Sequence, residues 1–423
     1  MLSPRALTLL AVAVFASAAP PAFAAHTIRL RVPRFEVPPH SDREVCTFVP
    51  VPMKEAFNFQ KSVVVNLGGD KQFATHHFLA WVYNGTDVEG FPARGQIVDS
   101  KACLDFGPTD TNTRTLIAGA QTRKLVTTFG DGLAQQLTPA VSGSGKKVLG
   151  IILNSHWINS SDRPKRASVK LALIAAKPHT VRRFILPIFE VTANAYIDVP
   201  PGPHPNADPG TEHGYWGPGS LNFKGSLGGG SVPAKTASAC VVGVTSHMHK
   251  RGVRFTIDLV NGPVNLLGNT PPTEQVLTPG ILDTKDYREP PQVSLMTSSS
   301  GMPIHPGQYL RYTCMHDNTG SDVARPVKMG CQEKDGVTPG ESIIKLIFDG
   351  KFDLNGGSTQ TGAARRCETD ADCAGFGTGK CVPANLVFGF TSDDDMCIMP
   401  GGYYEADANG NCTVMDFPVE PNG

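Results

Sequence analysis

Histidines are the side chains best placed to do chemistry in this 423-residue chain, which contains 12 of them. His247-Met248-His249 follows the strand-like run Val241–Val244. Side chains two apart on an extended strand point to one face, so His247 and His249 can chelate one ion, although a solvated strand face gives the same spacing. His76 and His77 open the strand-like segment Phe78–Tyr83. Adjacent side chains on a regular strand point to opposite faces, and both reach one ion only at a strand end or a bulge. His156 closes the apolar run that begins at Lys147 and precedes Trp157-Ile158-Asn159; taken alone it reads as an ordinary core or surface histidine. Met396 lies between Asp393-Asp394-Asp395 and Cys397. A methionine is more often a core filler, but a thioether beside imidazoles suits copper, because soft sulfur favours Cu(I). Three histidines without sulfur suit zinc or copper equally.

Strands must position these groups. Gly (44) and Pro (35) make up nearly a fifth of the chain, and both break helix interiors. Apolar, β-branched runs bounded by turn residues recur at 62–67, 147–153, 167–173 and 343–348, and 255–259 alternates with period two. The chain reads as all-β, two tandem jelly-roll β-sandwiches. A Pro- and Gly-rich stretch at 198–235 places the boundary near 192, giving domains 25–192 and 193–423. Within the second, residues 350–385 hold Cys367, Cys373 and Cys381 and read as a small cysteine-stapled insertion. Asn409-Gly410 predicts a type I′ hairpin turn, a simpler reading than a calcium loop built on Glu405, Asp407 and Asp416. His204, His213, His305 and His316 fall in turn-rich sequence; of these only His316, near Cys314, is a further candidate, and it reads mostly as a surface residue.

The N-terminus bounds the location. Arg5, the apolar run Leu7–Phe15 and Ala22-Phe23-Ala24 read as a signal peptide over residues 1–24, cleaved after Ala24, so the chain is expected to be secreted or periplasmic, without a membrane anchor. Ten cysteines in an exported chain read first as disulfides. Basic and acidic residues balance at 38 each, which argues against nucleic acid or an anionic membrane as main partner. The oligomeric state leaves no signature in the sequence.

Four segments occur together and in one order: His76-His77-x-Leu79, His156-Trp157-x-Asn159, His247-x-His249-x-x-Gly252, and Asp395-Met396-Cys397 followed by Tyr403-Tyr404. In this the chain resembles the copper type II, ascorbate-dependent monooxygenases, the family of peptidylglycine alpha-hydroxylating monooxygenase and dopamine beta-monooxygenase. The resemblance spans roughly residues 40–420 with gaps. It implies two jelly rolls with one copper on each: His76, His77 and His156 holding an electron-transfer copper, and His247, His249 and Met396 a catalytic copper across a solvent gap. It implies O2 and a small organic molecule as substrates, and ascorbate or another one-electron reductant. It also implies disulfides Cys314–Cys397, Cys46–Cys103 and Cys240–Cys412, leaving Cys331, Cys367, Cys373 and Cys381 to pair among themselves in any of three ways.

The chain departs from that pattern where the family's peptide-amidating members bind substrate. An arginine two residues before His-x-His is here Thr245, and an asparagine and a tyrosine after the methionine are Ile398 and Pro400. A peptide carboxylate calls for a cation or several donors. The expected substrate is therefore a neutral or amine-bearing molecule with a benzylic or similarly weak C–H bond, unless Lys250, Arg251 or Arg254 replaces the missing arginine. Three other readings stand beside this one. A non-catalytic copper carrier would use the same ligands. A lytic polysaccharide monooxygenase would need His26 at the mature N-terminus. A zinc hydrolase would need a further hard ligand and a general base.

Overall fold

The computed structural model describes residues 27–83, 88–99, 114–192, 211–217, 238–248, 252–262, 274–287, 289–297, 299–316, 329–331, 366–367, 381–383 and 397–420. Among them there is no α-helix, and strands carry the fold. The first half comprises β1 (Thr27–Val37), β2 (Ser41–Pro52), β3 (Phe57–Leu67), β4 (Phe73–Tyr83), β5 (Val98–Asp99), β6 (Arg114–Ala120), β7 (Lys124–Thr128), β8 (Leu133–Leu137), β9 (Ala140–Val141), β10 (Lys147–Asn159), β11 (Lys165–Ala175) and β12 (Arg183–Phe184). One sheet runs β1-β11-β3-β8-β12 and the other β5-β2-β10-β4-β6. The central orders, β1-β11-β3-β8 against β2-β10-β4-β6, are those of two interleaved Greek keys, a jelly roll.

The second half repeats the plan. It comprises β13 (Leu186–Thr192), β14 (Thr211–Trp216), β15 (Ala239–Val244), β16 (His247–Met248), β17 (Gly252–Asn261), β18 (Gln275–Thr284), β19 (Val293–Ser294), β20 (Met302–Ile304), β21 (Gln308–His316), the short β22 (Met329–Cys331), β23 (Arg366–Cys367) and β24 (Cys381–Pro383), and β25 (Cys397–Glu405). Its sheets run β13-β25-β15-β19 and β14-β21-β17-β18, again a jelly-roll order. The expected all-β, two-sandwich architecture is therefore what the strand pairing gives.

Period-two patterning explains each sandwich. Along β1, Ile28, Leu30 and Val32 are buried and Arg29 and Arg31 are exposed. The inward residues join Leu149, Ile151 and Leu153 of β10 in one core. β10 is different, because it is buried almost end to end. Its second face, with Ile152, joins Phe48 and Trp81 against Phe189 and Ile398 of the second sandwich. A further apolar cluster joins Leu133 to Ile185, Val242 and Tyr404. The two sandwiches are thus packed face to face across a hydrophobic seam.

Three expectations are corrected. The boundary lies at Ile185 rather than 192/193, because Leu186–Thr192 pairs along its whole length with β25 and is the first strand of the second sandwich. The composition shift follows that strand and so marks a connection inside the second sandwich. The turn at Asn409-Gly410 is not type I′, which needs positive φ at both central residues. Only Gly410 has one, at 81°, and Asp407 caps the turn by accepting from the Asn409 and Asn411 amides. His316 is buried, not a surface residue, at the end of β21.

Cys240–Cys412 and Cys314–Cys397 are disulfides, with Cα–Cα distances of 5.7 and 5.8 Å. Cys46 is also disulfide-bonded, and Cys103 lies outside the described residues. Of the cysteine-rich insertion, β22, β23 and β24 form a three-stranded sheet with Cys331 opposite Cys381. Cys373, the rest of 350–385, residues 343–348 and the N-terminal 24 residues lie outside the described residues.

Candidate metal centre

His76, His77 and His156 come together on the seam side of the β5-β2-β10-β4-β6 sheet. His156 stands opposite His77, but the next residue, Trp157, stands opposite Thr75, so His76 is an extra residue in β4. This is the bulge that adjacent histidines need in order to face one way. One nitrogen from each ring lies within 4.8 Å of the others, and all three residues are buried. Ring centroids are 5.1 Å apart for His76 and His156 and 5.2 Å for His77 and His156.

Neighbours on the same face orient His77. Asn154, two residues before His156, places its Oδ1 2.9 Å from His77 Nε2 and donates from Nδ2 to Glu44 Oε1 at 2.8 Å. Glu44 lies opposite His156 on β2, with Oε1 3.4 Å from His77 Nε2. The acceptors place the proton on Nε2. Nδ1 is buried without a hydrogen-bond partner, which leaves its lone pair for a cation. Burial pushes the Glu44 carboxyl up, but the His77 hydrogen bond, the charges of His77 and His156 and the Asn154 bond outweigh it. Together they hold the carboxyl far below the usual carboxylate range. Glu44 is only partly exposed, and its carboxylate stands where its charge would offset that of a cation held by the neutral imidazoles. Three imidazoles and no thiolate suit copper or zinc, so the residues present fit the copper that the sequence resemblance implies.

The second set is placed only in part. His249 and Met396 lie outside the described residues. Met248 is turned into the second core and His247 faces the seam, as alternation on a strand requires. His247 does not stand apart from the first set, however. Its ring lies 4.9 Å from that of His76 and 5.3 Å from that of His77. Gln121, just after β6, spans the seam to it, with Oε1 2.7 Å from His247 Nδ1 and Nε2 donating to the Ser246 carbonyl at 2.7 Å.

The remaining named residues divide by role. Asn159 donates to the carbonyls of Val37, Pro38 and Arg163 and serves the turn after β10. The Thr245 hydroxyl donates to the Pro291 carbonyl, and Ile398 is buried in the seam. Arg254 is forked onto Asp283 at 2.9 and 2.7 Å, while Lys250 and Arg251 lie outside the described residues. Sequence reasoning missed Glu44, Asn154 and Gln121. Asn154 was within reach, because it shares the period-two face of His156. The other two arrive through long-range pairing and have no local signature.

No protein-family model matches the chain, and no curated protein does. Among solved structures, the cryo-EM structure of Broad Bean Stain Virus aligns at 10% identity and a TM-score of 0.27, covering 74% of this chain and 91% of that one. Recombinant peptide:N-glycanase F aligns at 9% identity and a TM-score of 0.25, covering 69% and 96%. Likenesses at this level carry no argument, and the jelly-roll assignment rests on the strand orders.

Proposed function

We propose that this chain is an exported copper-dependent monooxygenase that hydroxylates a C–H bond of a small organic molecule. The observation that carries the reading is the buried triad His76, His77 and His156, with His77 Nδ1 left without a hydrogen bond. Copper rather than zinc is inferred from the resemblance, which groups the thioether of Met396 with the imidazoles of His247 and His249. Bound copper would supply one-electron chemistry and the reduction of O2. One oxygen atom enters the product and the other leaves as water, with two electrons and two protons drawn from a reductant such as ascorbate.

The chain's own residues hold and select. His76, His77 and His156 bind the first ion, Asn154 and Glu44 fix the His77 ring, and His247, His249 and Met396 serve the catalytic ion. Thr245, Ile398 and Pro400 offer no cation for a peptide carboxylate, and Arg254 is already paired with Asp283. The preferred substrate is accordingly an amine-bearing or neutral molecule with a benzylic C–H bond. The test supplies the copper-loaded chain with ascorbate, labelled O2, phenethylamine and a glycine-extended peptide together. One labelled oxygen in the amine product is expected. Faster labelling of the peptide would overturn the substrate reading, and copper binding with no product from either would make the protein a carrier.

A further inference from the structure

Gln121 of the first sandwich reaches across the seam and bonds to two adjacent residues of the second. Its Nε2 donates to the Ser246 carbonyl at 2.7 Å, and its Oε1 lies 2.7 Å from His247 Nδ1. The direction of the amide is fixed, because a carbonyl can only accept. Nε2 must therefore face Ser246, and Oε1 must accept from His247. The His247 proton then sits on Nδ1, and Nε2 carries the lone pair that can bind a metal.

Strand pairing fixes the backbone of His247 but not its ring. His247 stands opposite Ile398 of β25, and just before it the Thr245 amide donates to the Pro400 carbonyl at 2.9 Å. Torsion about the bond to an imidazole ring is broad, so either nitrogen can turn toward a ligand unless a hydrogen bond selects one. Gln121 supplies such a bond from an anchored position. Ala120, the last residue of β6, stands opposite Phe78 of β4, so Gln121 follows directly on the strand pair that carries His76 and His77.

We propose that Gln121 is a positioning residue for the second ion: from the first sandwich it turns the His247 imidazole so that Nε2 faces that ion. This rests on the functional reading above, in which His247, His249 and Met396 hold the catalytic copper. The second site is then not built by the second sandwich alone. A partner that orients a ligating histidine is worth about 10–100-fold in metal affinity.

The test uses the full-length chain. Gln121→Leu keeps the bulk and loses both hydrogen bonds, and Gln121→Glu keeps an acceptor for His247 Nδ1. Nitrogen NMR of the metal-free protein, isotopically labelled at histidine, reads the tautomer, the His247 signal being the one missing from His247→Ala. The proton should sit on Nδ1 in the unaltered chain and in Gln121→Glu, and be shared between the two nitrogens in Gln121→Leu. Copper is then titrated against a competing chelator. The second ion, marked by its sulfur scatterer in X-ray absorption of the Cu(I) form, should bind about tenfold more weakly in Gln121→Leu. The triad's ion should be unaffected, and Gln121→Glu should stay close to the unaltered chain. A proton on Nε2 in the unaltered chain would overturn the inference without recourse to any variant. An unchanged tautomer with unchanged affinity in Gln121→Leu would overturn it too, as would equal weakening of both ions. No second ion in the unaltered chain would overturn the proposed function and this inference with it.

Discussion

At the scale of residues, the centre depends on how one imidazole is held. Glu44 and Asn154 bond to His77 Nε2 and so direct Nδ1 into the cluster. Removing the charge of a group that orients a metal-binding histidine costs about 10–100-fold in affinity. Glu44→Gln keeps the shape and loses the charge, and it should weaken copper binding by about tenfold in a chelator competition, with the fold unchanged by circular dichroism. Undiminished affinity would show that Glu44 has no part in holding the ion. Met396→Ile is the corresponding test of the second set. The sulfur scatterer should vanish from the X-ray absorption of the Cu(I) form, and its persistence would remove Met396 from the site.

At the scale of elements, the bulge in β4 decides whether two adjacent histidines can act together. The sequence shows the pair but not the bulge, since a bulge is a relation between β4 and β10 that only pairing reveals. The strands themselves were legible, because alternation and β-branched runs are local. The β10 run was legible as a strand yet silent about what covers its second face, and the start of the second sandwich was hidden because Leu186–Thr192 precedes the Pro- and Gly-rich stretch. Close approach between strands gives a test of the fold independent of metal. A Cβ added at Gly214 of β14 would run into the ring of Tyr312, which is 2% exposed on β21. Gly214→Ala should therefore destabilise the second sandwich by about 1–3 kcal/mol in denaturant unfolding, the range for forcing extra volume into a packed site. An unchanged midpoint would mean that β14 and β21 are not so closely apposed.

At the scale of the whole molecule, the site exists because two sandwiches meet. His76, His77 and His156 lie on a sheet face that would be open to solvent if the second sandwich were absent, and the same seam buries Trp81 against Phe189 with ring centroids 5.1 Å apart. Truncating a buried phenylalanine costs about 3–5 kcal/mol. Phe189→Ala should accordingly lower global stability by about that much and weaken copper binding, whereas an equal loss in a surface control would contradict the packed seam. The central claim, that the triad holds a copper ion, is tested most directly by counting. Copper bound per chain is measured by metal analysis for the unaltered protein and for a variant carrying His76→Ala, His77→Ala and His156→Ala. The variant should bind one ion fewer and lose imidazole scattering from its X-ray absorption, and equal copper in the two proteins would contradict the account.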